Sequence, residues 1–363
     1  MTTMRFGERF RVTLFGSSHG PEVGVEVEGI PVGTRVDPVE VQRDLDRRRP
    51  VGRRLATRRL EEDRLVVDSG LVEGRSDGRP FRAHVANEDV RREPYDRMRD
   101  TPRPGHADFP ARARYGADAD LSGGGIFSGR MTVGLVIAGA VAKSLLAARG
   151  VEVLAFTRSI GPVDGTVQED EPPAAIRARS RSNEVGCPDL TAARLMEDAI
   201  ADARREGDSL GGVVEVRATG LPVGLGEPFF DSIESSVAHL AFSVPAVKAI
   251  EFGAGFQAAR MKGSEHNDPI IWQDGAVRTE TNRAGGILGG LATGMPVVFR
   301  VAVKPTSSIA RPQRTVNLTD HTPATLVVTG RHDPCIVPRA VVVLEAVAAI
   351  ALADLGLRGG YLP

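Results

Sequence analysis

Two loop histidines stand among residues that suit proton transfer. The first lies in Phe15-Gly16-Ser17-Ser18-His19-Gly20, between two expected strands, Arg11 to Phe15 and Val23 to Val27. Glycine and serine form such a turn readily, and it would present a hydroxyl and an imidazole together at a strand end. The second lies in Arg103-Pro104-Gly105-His106-Ala107-Asp108-Phe109. Pro-Gly favours a tight turn that keeps His106 out of any regular element, and the flanking arginine and aspartate can tune it. Histidine is the side chain best poised to move protons near neutral pH. Taken alone, each pattern also fits a solvated turn histidine.

Other loops suit an anion. Arg47-Arg48-Arg49-Pro50-Val51-Gly52-Arg53-Arg54 packs five arginines into eight residues. Guanidinium groups grip phosphate and carboxylate through paired donors. The run fits an anion clamp and equally a solvated basic face. It has no interleaved aromatics, which disfavours single-stranded nucleic acid. Ser122-Gly123-Gly124-Gly125-Ile126-Phe127-Ser128-Gly129-Arg130 leads into an expected helix. Glycines admit a ligand close to backbone, and a helix N-terminus attracts anions. Lys304-Pro305-Thr306-Ser307-Ser308 offers a lysine and three hydroxyls after a strand. Gly330-Arg331-His332-Asp333-Pro334-Cys335 sets an arginine, a histidine and a carboxylate before the last helix, and Gly285 to Gly290 offers exposed backbone to a flat ligand. Neither the P-loop nor the dinucleotide spacing is met in its strand–helix context, and no metal-ligand spacing occurs.

The elements that must position these loops alternate along the chain. Asp37-Pro38 opens a helix that runs to Arg49, and strands follow at Leu65 to Val72 and Phe81 to Ala86. Residues 88 to 122 show no periodicity. The apolar run Met131 to Ala148, broken by Lys143 and flanked by Arg130 and Arg149, reads as a buried helix and not as a membrane span. Strands are expected at Val151 to Thr157, Val213 to Ala218, Ala246 to Glu251 and Val297 to Val303. Helices are expected at Leu190 to Arg205, Ile233 to Phe242 and Pro338 to Leu355. A glycine-containing loop running into an Ala/Val helix occurs twice, at Gly123 to Gly150 and Gly330 to Gly356, which fits either duplication or convergence.

Composition sets the class. Of 363 residues, 41% are hydrophobic and 26% charged, as in a globular protein. Basic and acidic residues nearly cancel, 46 against 47, so no overall field draws the chain to nucleic acid or membrane. Cys187 and Cys335 are too few for a disulfide framework and fit a reducing cytoplasm. The start, with Arg5, Glu8 and Arg9, lacks the apolar region of a signal peptide.

Read in order, the motifs Phe15-Gly16-x-Ser18-His19-Gly20, Asp46-Arg47-Arg48-Arg49-Pro50, Arg103-Pro104-Gly105-His106-Ala107-Asp108, Gly123-Gly124-Gly125, Gly207-Asp208-Ser209, Gly224-Leu225-Gly226-Glu227-Pro228, Ala284 to Gly290, Lys304 to Ser308 and Gly330 to Cys335 carry a resemblance. Over essentially its whole length the chain resembles the chorismate synthase family, in its archaeal-type branch. The resemblance implies a carbon-oxygen lyase converting 5-enolpyruvylshikimate 3-phosphate to chorismate and inorganic phosphate, the last common step of the shikimate pathway to the aromatic amino acids. The reaction is a 1,4-elimination that needs reduced FMN without net redox change. NADPH would enter only indirectly, for flavin reduction by an external reductase. The implied fold is α+β, a single-domain β-α-β sandwich over 1–363, with antiparallel sheets packed together and helices outside. A cytoplasmic homotetramer is expected, with no metal, no nucleic acid and no membrane.

By the same resemblance, His19 and His106 are the proton donors, the first for the departing phosphate and the second for the flavin ring. Asp333 with Ser18 resembles the family's base, acting through flavin N5. Arg48 and Arg54 match positions that bind anionic ligand or nicotinamide cofactor, and Arg49 and Arg130 join them as anion-binding candidates. Flavin contacts are expected from Ile126, Phe127, Ser128, Pro245, Ala246, Gly289, Lys304, Pro305, Thr306, Ser307, Ser308 and Arg331. Three departures stand out. Ser17 replaces a common glutamate, Ile126 to Arg130 replaces a more polar Arg-Ser-Ser-Ala-Arg, and Pro245 replaces a common asparagine. Two other readings remain open here. An FMN-dependent oxidoreductase would consume NAD(P)H, and a non-catalytic flavin or phosphate sensor would bind without product.

Overall fold

The computed structural model describes residues 4–49, 62–88, 100–116, 122–273, 275–328 and 332–363. Two five-stranded antiparallel sheets dominate it. The first has the order Arg5–Phe6, Arg11–Gly16, Glu22–Glu28, Phe81–Ala86, Val66–Ser69. The second has the order Val247–Phe252, Val297–Val303, Gly212–Thr219, Glu152–Ile160, Val163–Asp164. Each turns an apolar face inward. Along Val297–Val303 the valines 297, 301 and 303 and Phe299 are buried, while Arg300 alternates to the other face.

The helices Thr132–Ala147 and Val337–Arg358 lie between the sheets. The first packs on strands of the first sheet, the second on strands of the second, and the two pack on each other. This corrects the expected layer order: the class and the sandwich hold, but the main helices are inside. The reason is compositional. A helix that is apolar all round has no face to give to water. The helical run Gly129–Ala147, which takes in the turn before the first of the two helices, and Val337–Arg358 are long and apolar enough to cross a membrane, yet 83% and 100% of their most apolar stretches are buried in the fold. Pro173–Ser180 covers an outer face of the second sheet, with Ile176 against Leu154 and Phe156.

Small residues allow this close stacking. A Cβ on Gly139 would lie 2.2 Å from the Ala346 Cβ, and one on Gly134 would lie 2.7 Å from the Gly24 carbonyl. Buried charges then fix the register. Glu345 accepts from Arg47 at 2.8 Å and from Lys143 at 2.6 Å, and Lys143 also reaches Asp44 at 2.5 Å. Burial alone would push the Glu345 carboxyl up, but Lys143 and Arg47 hold it well below the ordinary carboxylate range. This cluster ties the Pro38–Arg48 helix, capped by the Asp37 side chain, to both central helices.

Local differences from the sequence reading have physical causes. Leu65 to Val72 is two strands, because Gly70 turns at φ +88 hard against the Phe81 backbone. The segment expected to be irregular holds a helix, Asp108–Tyr115, too short to show periodicity and without a side-chain N-cap bond. Gly139→Ala should lower stability by about 1–3 kcal/mol through overpacking. Equilibrium denaturation measures this, and an unchanged midpoint would contradict the helix contact.

Candidate active site

The two central helices run the same way, and their N-terminal ends line one cavity of about 600 Å³. Ile126, Phe127, Ser128, Gly129, Arg130 and Thr132 come from the approach to one helix. His332, Asp333 and Ile336 come from the approach to the other, and Arg339 from its first turn. Arg48, the Arg103–Ala107 loop, Phe242 to Val247 and Lys304 to Ser308 complete the wall. Two helix N-termini at one cavity add positive potential where the sequence already concentrates arginine.

His106 is held by a buried ion cluster. Asp108 accepts from Arg103 Nε at 2.7 Å and Nη2 at 2.8 Å, and lies 2.5 Å from His106 Nδ1. Arg103 Nη2 also lies 3.0 Å from Nδ1, but an ionised carboxylate at the shorter distance assigns the Nδ1 proton to Asp108. That tautomer leaves Nε2 facing the glycine run: a Cβ on Gly124 would sit 3.5 Å from it. Burial favours the neutral form of Asp108, but the bonds from Arg103 and His106 outweigh it and hold the carboxyl well below its ordinary range. The loop is strapped to the opposite wall by Lys304 Nζ on the Gly105 carbonyl at 2.7 Å and by Arg103 Nη1 on Ser308 Oγ at 3.3 Å.

His19 stands on the other side of the glycine run. It is 6% exposed and does not line the cavity, but Gly123 does, and its ring fills the space where a Gly123 side chain would be. A Cβ there would lie 1.8 Å from His19 Cε1. Ser18 is buried beside it, its N–H 3.4 Å from the Gly125 carbonyl. The three glycines, all at positive φ, thus let both histidines approach one strip of backbone.

Arg48 and Arg130 are buried and line the cavity. Asp333 lies 2.5 Å from Arg339 Nη1, and Arg339 Nε donates to the Arg48 carbonyl at 3.0 Å. Thr306 Oγ1 donates to the Asp333 carbonyl at 3.0 Å, joining the Lys304 loop to the last helix. Burial, aided by Lys248, lowers the proton affinity of Lys304. His332 is pushed down by burial and then by the Arg103 charge, and its buried Nε2 has no hydrogen-bond partner among the described residues. Ala246 sits at φ +75, rare for a side-chain-bearing residue, with its carbonyl accepting from the Lys304 N–H.

Of the expected residues, His106, Asp333, Arg48, Arg130, Ile126, Phe127, Ser128, Pro245, Ala246 and Lys304 to Ser308 line this one cavity. Ser18 and His19 lie behind the glycine run. Arg49 turns to Asp46 at the helix end, and Gly289 is exposed on the turn between Ile287–Leu288 and Leu291–Ala292, so neither lines it. Arg54 and Arg331 lie outside the described residues. Arg339 is a cavity residue the sequence reading did not find. It lies one helical turn past the last motif, and only its spacing from Asp333 hints at a role.

A family model described as chorismate synthase matches residues 10–357. A chorismate synthase of Dehalococcoides mccartyi strain 195 is 47% identical over 98% of this chain and 97% of its own length. One of Aeropyrum pernix is 49% identical over 98% and 94%. A crystal structure of a chorismate synthase superposes with a TM-score of 0.76 at 28% identity, covering 98% of this chain and 93% of that one.

Gly123→Ala should expel the His19 ring, visible as a large shift of its imidazole NMR signals; unmoved signals would contradict the packing. A second outcome concerns acid. The folded chain holds Asp108 below its ordinary value of about 4, so the unfolded chain binds more protons over that interval. The stability Asp108 contributes is complete above that value and fades as pH falls toward the folded one. Asp108→Asn should therefore flatten the acid limb of a stability-versus-pH curve.

Proposed function

The chain belongs to the chorismate synthase family, and on that premise we propose that it eliminates phosphate from 5-enolpyruvylshikimate 3-phosphate to give chorismate, with reduced FMN and no net redox change. The observation that carries this reading is the convergence of His106, Asp333, Arg48, Arg130 and Lys304 on one cavity, with His19 at its glycine wall.

The donor set fits a phosphorylated flavin beside a phosphorylated substrate. Lys304 with the hydroxyls of Thr306, Ser307 and Ser308 suits an anionic tail, and the backbone at Pro245 and Ala246 and at Ile126 to Ser128 suits a flat ring. The substitutions at Ile126 and Pro245 leave those contacts to backbone. When bound, reduced flavin would supply the transient electron density that the elimination needs.

The chain's own residues do the rest. Arg48 and Arg130, both buried, offset the charge that grows on the leaving phosphate. His19 gives that phosphate a proton. His106, its Nδ1–H on Asp108, is oriented to pass a proton through Nε2 to the flavin ring once Nε2 is itself protonated. Asp333, held by Arg339, takes up the proton that the substrate ring finally loses, by way of the flavin when it is bound, with Ser18 assisting. Arg54 and Arg331 are proposed to join the anion and flavin contacts, with Arg49 and Gly289 in supporting roles outside this cavity.

The continuous core joining both sheets supports reading the chain as one domain. We place it in the shikimate pathway as a cytoplasmic homotetramer supplied with reduced flavin by a separate reductase.

Under anaerobic conditions, chorismate and phosphate should appear in equal amounts without net flavin oxidation. Steady NAD(P)H consumption coupled to an acceptor would favour the oxidoreductase reading instead. His106→Ala should cut turnover about 10²–10⁴-fold while flavin binding persists, and unchanged turnover would remove His106 from the mechanism.

A further inference from the structure

Arg48 and Arg130 arrive from different elements, the end of the Pro38–Arg48 helix and the turn before Thr132–Ala147, yet their guanidinium groups meet. What lies between them is Asp63. One of its oxygens takes Arg48 Nη1 at 3.2 Å, and the other takes Arg130 Nη1. All three side chains are nearly inaccessible, at 4%, 4% and 2% exposure. Two buried like charges side by side repel strongly in a poorly polarisable interior, and a carboxylate between them removes that penalty.

Asp63 is also held in an unusual place. Its φ is +45, a left-handed conformation that a residue with a side chain adopts only under constraint. The constraint is visible. Gln42 donates to the Asp63 carbonyl at 3.2 Å and accepts from the Leu65 N–H at 2.9 Å, and Gln42 stands on the same helix as Arg48. The other donors of the arginines are aimed as well. Arg48 Nε and Nη2 go to Thr132 Oγ1 and the Gly129 carbonyl, and Arg130 Nε and Nη2 go to Asn87 Oδ1 and the Ala86 carbonyl.

We propose that Asp63 is a positioning residue that sets the separation and aim of the Arg48–Arg130 pair, so that the pair takes a phosphate group in one geometry. This rests on the reading of the pair as the anion clamp. The opposite role, a built-in competitor that occupies the clamp, makes the opposite prediction.

The test uses Asp63→Asn in the full-length protein with two probes. Inorganic phosphate reads the clamp whatever the reaction, and the phosphorylated substrate is read by KM and kcat in anaerobic assays. The dissociation constant for phosphate and the KM should both rise by roughly 10²-fold, the cost of a misplaced binding group. The flavin dissociation constant should move much less, while kcat should fall as well, because the pair offsets charge that grows as the phosphate leaves. Phosphate bound as tightly as, or more tightly than, in the native protein overturns the proposal. Gln42→Ala serves if Asp63→Asn fails to fold, because it loosens the Asp63 backbone and leaves every charge in place. It should weaken phosphate binding in the same direction, and unchanged binding overturns the proposal. Native protein that binds phosphate at the clamp but does not turn over substrate refutes the lyase reading and leaves the Asp63 result to stand separately.

Discussion

Gly139 meets Ala346 with no room for a side chain between them, and the site depends on that contact. It lets two helices that are apolar on every side lie together between two sheets, each burying further surface mainly on one sheet and on the flanking helices. Because the helices run the same way, the loops that precede them end at the same place. One loop brings the glycine run and Arg130, the other brings His332 and Asp333, with Arg339 on the first turn of the helix that follows. The cavity is therefore a product of the core packing and of the two helix N-termini it aligns.

Charge is arranged around that scaffold in closed groups. Glu345 joins Arg47 and Lys143 in the core, Asp108 joins Arg103 and His106 at one wall, and Asp63 joins Arg48 and Arg130 at another. Glu345 and Asp63 each have two cationic neighbours, and Asp108 has the Arg103 guanidinium and the His106 imidazole. Such clusters contribute little net stability, but breaking one leaves an uncompensated buried charge that costs about 3–5 kcal/mol. Their value here lies in geometry. Arg47 and Arg48 are adjacent in sequence, so the core cluster and the anion clamp share a helix end.

Much of this was legible in the sequence. The loop motifs showed which residue types gather, and the apolar run from Met131 to Ala148, with Lys143 within it and arginines at both ends, reads as a buried helix. The repeated plan of glycine loop and Ala/Val helix proved to be the central pair itself. The layer order was not legible, because an all-apolar helix shows that it is buried but not between which partners. Asp63 and Arg339 were missed for a related reason. Each acts by meeting a residue distant in sequence or one turn beyond a motif, and no local pattern records that meeting. Gly289 shows the converse: its motif is clear, yet its turn stands exposed, away from this cavity.

The most direct test of the account is a crystal structure of the chain with FMN and the phosphorylated substrate bound. The account predicts the substrate phosphate within hydrogen-bond distance of Arg48 and Arg130, with His19 at the same group. It also predicts His106 Nε2 against the flavin ring, while its Nδ1 remains on Asp108. Ligands seated elsewhere, or a phosphate that touches neither arginine, would contradict it.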